Sequence, residues 1–130
     1  MKQLISTLAL FASLAGGFSA IAGQVKTHEA TINVSEAYIP GGFSTETDAY
    51  VVVSGMFQNS CYTFNRAEVT EKGQQVHEIR SFATVSEQMC LMVMVPYQHE
   101  VRLGKLSAGE HTLRFINGDN TFFERKLVVE

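Results

Sequence analysis

Met89-Cys90-Leu91-Met92-Val93-Met94-Val95, closed by Pro96, is a run of seven uncharged apolar residues. Bounded by a polar stretch on one side and a proline on the other, it reads as a strand buried on both faces and as the centre of the core. Its second residue is one of only two cysteines in the chain. Pairing Cys90 with Cys61 would make the same strand the anchor of a covalent cross-link.

Short segments rich in Val, Thr, Phe and Tyr lie on both sides of this run. Gly, Asn or Ser separates them at intervals of about ten residues. Toward the C-terminus, Glu100–Leu106 and Glu110–Ile116 alternate apolar and polar positions. Asn117-Gly118-Asp119-Asn120 is a tight turn, and Phe122–Val129 is the last strand. Toward the N-terminus, Gln75–Thr84 carries charges that suggest an edge or a solvated face. Lys72-Gly73 is a hairpin corner after the strand Tyr62–Thr70. Tyr50–Phe57 is a further strand, with Gly55 as a bulge or a close approach. Pro40-Gly41-Gly42 opens a polar loop through Asp48, and Ala30, Ile32 and Val34 mark a first strand with one wet face. No helical period lasts longer than a turn after Gln24. The expected fold is all-β, a two-sheet immunoglobulin-like sandwich of about seven to eight antiparallel strands with one internal disulfide.

The segment before Gln24 reads differently. Lys2, an apolar stretch from Leu4 to Ala15, and Ala20-Ile21-Ala22 have the layout of a secretory signal peptide cut after Ala22. Ser6, Thr7 and Ser13 interrupt the apolar stretch, and Gly16-Gly17 ends it short of the ~20 residues a membrane span needs. Residues 1–22 are therefore expected to be removed, and 23–130 to form a single domain that is periplasmic or secreted, with no integral membrane segment. No cysteine follows the cut until Cys61. In an exported chain, two cysteines most often form one bridge. The 61-to-90 spacing fits neither a C-x-x-C redox pair nor a zinc pattern.

Ten Lys and Arg stand against thirteen Asp and Glu, a net charge of −3, and the charges are scattered singly. Without a basic stripe, nucleic acid is not an expected partner, nor is an anionic membrane surface.

Val101-x-Leu103-Gly104-x-Leu106-x-Ala108-Gly109-x-His111-x-Leu113-x-Phe115 resembles the segment in which immunoglobulin-like sandwiches cross from one sheet to the other. The resemblance implies a corner in which a side chain two places after the glycine bonds back to nearby backbone. Here His111 takes the place usually held by tyrosine, so an imidazole nitrogen would make that bond. Together with Val53-Ser54-Gly55-Met56-Phe57-x-Asn59-x-Cys61, Cys90 and Pro96-Tyr97, the pattern over residues 49–118 is similar to small uncharacterised exported bacterial sandwich domains. That likeness implies a fold and no site.

Methionine and histidine are ligands for copper(I), but on this reading no His-x-x-Met or Met-x-x-Met cluster falls in a loop. Met92 and Met94, on the face shared with Cys90, are expected to fill the core. His28, His77, His99 and His111 do not visibly converge. His99 and His111 would lie about 13 Å apart if their strands formed a hairpin, so no metal ligand or cofactor is assigned. Glu68 and Glu71 fall on opposite strand faces, Glu46 and Asp48 sit in a polar loop, and there is no G-x-S-x-G elbow. An enzyme is not expected.

Phe122-Phe123 and Val128-Val129 must each send one side chain outward, and Tyr38, Ile39 and Phe43 enrich the 40–48 loop. These point to coverage by loops, or to a protein partner or self-association through an edge strand. The expected function is a non-catalytic binding or structural module, with a small copper-binding protein as the alternative.

Overall fold

The computed structural model describes residues 16–17 and 24–130. The leader and its cut after Ala22 lie outside the described residues, apart from Gly16-Gly17. Eight strands follow one another: β1 Thr27–Ile32, β2 Glu36–Tyr38, β3 Asp48–Phe57, β4 Tyr62–Glu71, β5 Val76–Ser86, β6 Val95–Lys105, β7 Gly109–Ile116 and β8 Phe122–Val129. They form two sheets.

In the larger sheet β5 pairs with β4 along one side. On its other side β7 takes Val76–Arg80 in parallel, and β1 takes Ser81–Ser86 antiparallel. β8 completes that sheet beyond β7, while the smaller sheet runs β2-β3-β6. The fold is thus an all-β sandwich, mostly antiparallel, with β5·β7 as its parallel pair.

Alternation explains which faces meet. In β3, Ala49, Val51 and Val53 point inward, and in β5 His77, Ile79, Ser81, Ala83 and Val85 do so. Of these, Ala49, Val51, Val53 and Ile79 meet Val101, Leu113, Phe115 and Leu127 in the main core. A smaller cluster of Ile32, Phe57, Ala83 and Tyr97 closes one end, with Tyr97 stacked on Phe57 at 4.4 Å.

Gly55 is a close approach rather than a bulge. A Cβ there would stand 2.6 Å from the Tyr97 hydroxyl. The register shift in β3 lies instead between Ala49 and Tyr50.

The opening expectation is overturned at its centre. Residues 89–94 are not a strand but a surface loop, in which Met89 is 99%, Leu91 70%, Met92 81%, Val93 54% and Met94 65% exposed. Two of its residues at most are β-branched counting Val95, so it lacks the side chains that suit a pleated surface. Pro96 does not end a strand either; it sits inside β6, pairing with Met56. β6 is an edge strand, where the missing N–H costs no ladder bond.

Of the two readings that the charges of β5 allow, an edge or a solvated face, the second holds, for β5 is paired on both sides. Its charges, Glu78 and Arg80, occupy the outer face. The expected first strand is divided as well, because the chain leaves the larger sheet after Ile32 and enters the smaller one at Glu36.

Tyr97 donates its hydroxyl proton to the backbone carbonyl of Asn33, and burial pushes its phenol from 10.0 up to about 12. The folded state therefore holds this proton more tightly than the unfolded chain. The associated stability is present below about pH 10 and is lost as pH rises to about 12. Tyr97→Phe is expected to cost about 1 kcal/mol at neutral pH. In urea titrations the gap between the two proteins should close over that alkaline window. A gap that stays constant there would show that the hydroxyl is not a coupled proton site.

Candidate functional site

The expected bridge is present: Cys61 and Cys90 are joined, their Cα atoms 5.4 Å apart. Its position differs from the expectation. Cys61 is buried immediately before β4, and Cys90 lies in the exposed loop, so the bridge ties surface to core. The Asn59 side chain first turns the chain, accepting from the Cys61 N–H at 2.9 Å.

Ser60 holds both backbone groups of Leu91. Its hydroxyl accepts from the Leu91 N–H at 2.8 Å, and its N–H donates to the Leu91 carbonyl at 3.1 Å. Upstream, the Glu87 N–H donates to the Lys26 carbonyl at 2.8 Å. The segment Glu87–Met94 is therefore anchored at several points while its apolar side chains face solvent. Met56, 48% exposed on β3, stands across from Pro96 at the same end of the sandwich. Two shallow grooves meet at Met56, one lined by Phe57 and Tyr62 and the other by Pro96 and Tyr97.

At the opposite end two histidines converge, contrary to the expectation that none did. His77 and His111 are 3% and 2% exposed, and His77 Nε2 lies 2.9 Å from His111 Nδ1. The Ser107 carbonyl, 2.7 Å from His111 Nε2, can only accept. His111 Nε2 must then carry a proton, leaving Nδ1 to accept from His77 Nε2–H. This is the corner expected from the sheet-crossing pattern, made by an imidazole and a carbonyl four residues upstream. β6 and β7 do lie in different sheets. His77 Nδ1 is 2.7 Å from Glu71 Oε2, but off the ring's hydrogen-bonding line, so it has no directed partner. This hydrogen-bond chain ends at the Ser107 backbone carbonyl.

The remaining candidates are dispersed. His99 stacks on Phe64 at 3.9 Å, and His28 faces Glu87 at 3.3 Å. Glu68 pairs with Arg66 while Glu71 faces His77, so the two carboxylates serve different neighbours. Among the described residues no group of three or more His, Cys, Asp or Glu is placed to hold a metal ion. No helix among them is long and apolar enough to cross a membrane.

Phe123 and Val129 turn inward, and Phe122 and Val128 outward; the Arg114 guanidinium lies 5.0 Å from the Phe122 ring centroid. Phe43 is buried and Ile39 packs on the core, so the 40–48 loop largely covers its own apolar side chains.

Taken together, these features define a disulfide-bridged, two-sheet β-sandwich with an anchored apolar loop at one end. The chain belongs to the ORF11 beta-sandwich domain family, whose model matches residues 51–125, from β3 into β8, including the bridge and the loop. No curated protein and no solved structure matches the chain.

Proposed function

We propose that this protein is a non-catalytic binding module of the periplasm or cell exterior, and that its binding element is the loop Glu87–Met94. The observation that carries this reading is the display of five apolar side chains, Met89, Leu91, Met92, Val93 and Met94, on an anchored loop. Contiguous apolar surface in water is unfavourable, and anchoring lowers the entropy lost when a partner covers it. The partner is a protein with an apolar surface. An anionic bilayer fits poorly, because no Lys or Arg occurs from Glu87 through Val101.

The contact falls to the loop rather than to a strand edge. The free edge of β6 carries Pro96, Arg102 and Lys105, features that discourage strand addition.

A photo-crosslinking residue at Leu91 is expected to capture a discrete partner in the native compartment. The same residue at exposed Glu46, beyond the opposite end of β3, should not. With the crosslinker at position 91, Val93→Ser with Met94→Ser should lower the captured yield about tenfold or more, since each buried aliphatic contributes roughly 1.5–3 kcal/mol. Equal yields at positions 91 and 46 would refute the reading.

A further inference from the structure

We propose that the thioethers of Met89, Met92 and Met94 form a binding site for a soft monovalent cation, copper(I) or silver(I). This goes beyond the binding-module reading and shares with it only the loop. The starting observation is where the methionines lie. Met56, Met89, Met92 and Met94, all the methionines after Met1, are between 48% and 99% exposed.

Methionine in a core fills irregular gaps. None of these four does so, and the packing role that would explain them in a buried strand is gone. The spacing, moreover, is Met-x-x-Met-x-Met and lies in a loop. Met89 and Met92 flank the clamp formed by the Cys90 bridge and the Ser60–Leu91 hydrogen bonds. Met92 and Met94, two residues apart, are separated by about 6.5 Å in extended chain. Two flexible thioether side chains can close on one ion across that span. Met94 lies two residues before Pro96, the cross-strand neighbour of Met56, which brings a fourth thioether to the same end.

The donor set selects the ion. Thioethers favour soft cations such as copper(I), whereas zinc and calcium need imidazole, thiolate or oxygen ligands. Within the loop the other donors are committed: the Cys90 sulfur is in the bridge, and the Glu87 carboxylate faces His28. No Lys or Arg from Glu87 through Val101 opposes the charge of an incoming ion.

The test titrates the metal-free, disulfide-intact protein with silver(I), and with copper(I) against a chromophoric chelator, reading stoichiometry by native mass spectrometry. One ion per chain is expected. Met89→Leu, Met92→Leu and Met94→Leu together should abolish uptake while leaving the thermal midpoint unchanged, because exposed side chains of like volume are exchanged. Uptake that is absent in the wild type, or equal in the triple variant, would overturn the proposal. The triple leucine variant keeps the loop apolar, so crosslinking from position 91 should survive in it. Loss of the cation site and failure of the protein-binding reading are thereby told apart.

Discussion

Replacing Cys61 and Cys90 together with alanine is expected to lower stability by about 3–4 kcal/mol. The bridge joins residues 29 apart in sequence, and removing a loop of that length restores the corresponding chain entropy to the unfolded state. For a domain of this size the loss corresponds to a fall in thermal midpoint of roughly 15 °C. It is a large share of the roughly 5–15 kcal/mol that holds a typical domain together. A local effect should accompany the global one. With the bridge gone, the loop is held by the hydrogen bonds to Ser60 and by the upstream contacts of Glu87 with Lys26 and His28, so the Leu91 amide should exchange faster than the global change accounts for. Calorimetry and hydrogen exchange on the oxidised protein and the double variant separate these effects. A midpoint shift of only a few degrees with accelerated exchange at Leu91 would mean that the bridge shapes the loop without stabilising the sandwich.

That the bridge ends in a loop was the least legible feature of the sequence. Segments rich in Val, Thr, Phe and Tyr between turn residues located β3, β4, β7 and β8 closely, because such side chains suit a pleated, half-buried surface. Turn chemistry did the same for the corners. Gly73 has a positive φ of 80°, and the Asn117–Asn120 turn is closed by a 3.0 Å bond from the Asn120 N–H to the Asn117 carbonyl.

The run Met89–Val95 has no alternation to read. Uniform apolarity is what a strand buried on both faces would show, and it is equally what a displayed binding loop would show. Length and hydropathy cannot separate the two. The available discriminant was side-chain type: methionine and leucine dominate, and β-branched residues are few. A cysteine paired with one that directly follows the Asn59-Ser60 turn also fits a loop tethered to a strand entrance.

The charges of β5 leave two readings open for a related reason. Glu78 and Arg80 fit an edge or a solvated face, and they lie on the outer face of a strand paired on both sides. Charge along a strand reports which face is wet, not how many neighbours it has. The His77–His111 contact was beyond reach for a different cause. It depends on β5 and β7 pairing in parallel across 34 residues, and local spacing contains no trace of that pairing. The corner role of His111 alone could be anticipated, from its place after Gly109.

His111→Ala is expected to cost about 3–4 kcal/mol, an effect comparable to loss of the bridge. Deleting an aromatic-sized side chain from a close-packed site leaves a cavity. Here it also strips the buried His77 Nε2–H of its acceptor, and the Ser107 carbonyl, on an exposed residue, loses its donor. Shape-preserving variants separate the cavity from the hydrogen bonds. His111→Phe keeps the ring volume but orphans His77, and His77→Leu orphans His111 Nδ1. Each should cost roughly 1–3 kcal/mol, the usual penalty for an unsatisfied buried polar group. The double variant removes both partners of their shared bond, so it should be less destabilised than the sum of the singles by about 1–2 kcal/mol. Denaturant titrations of the four proteins measure that coupling directly. Strict additivity would show that the two imidazoles pack side by side without sharing a proton. The expected coupling would establish that a hydrogen bond between β5 and β7, carried on to the Ser107 carbonyl, secures the point where the chain crosses between sheets.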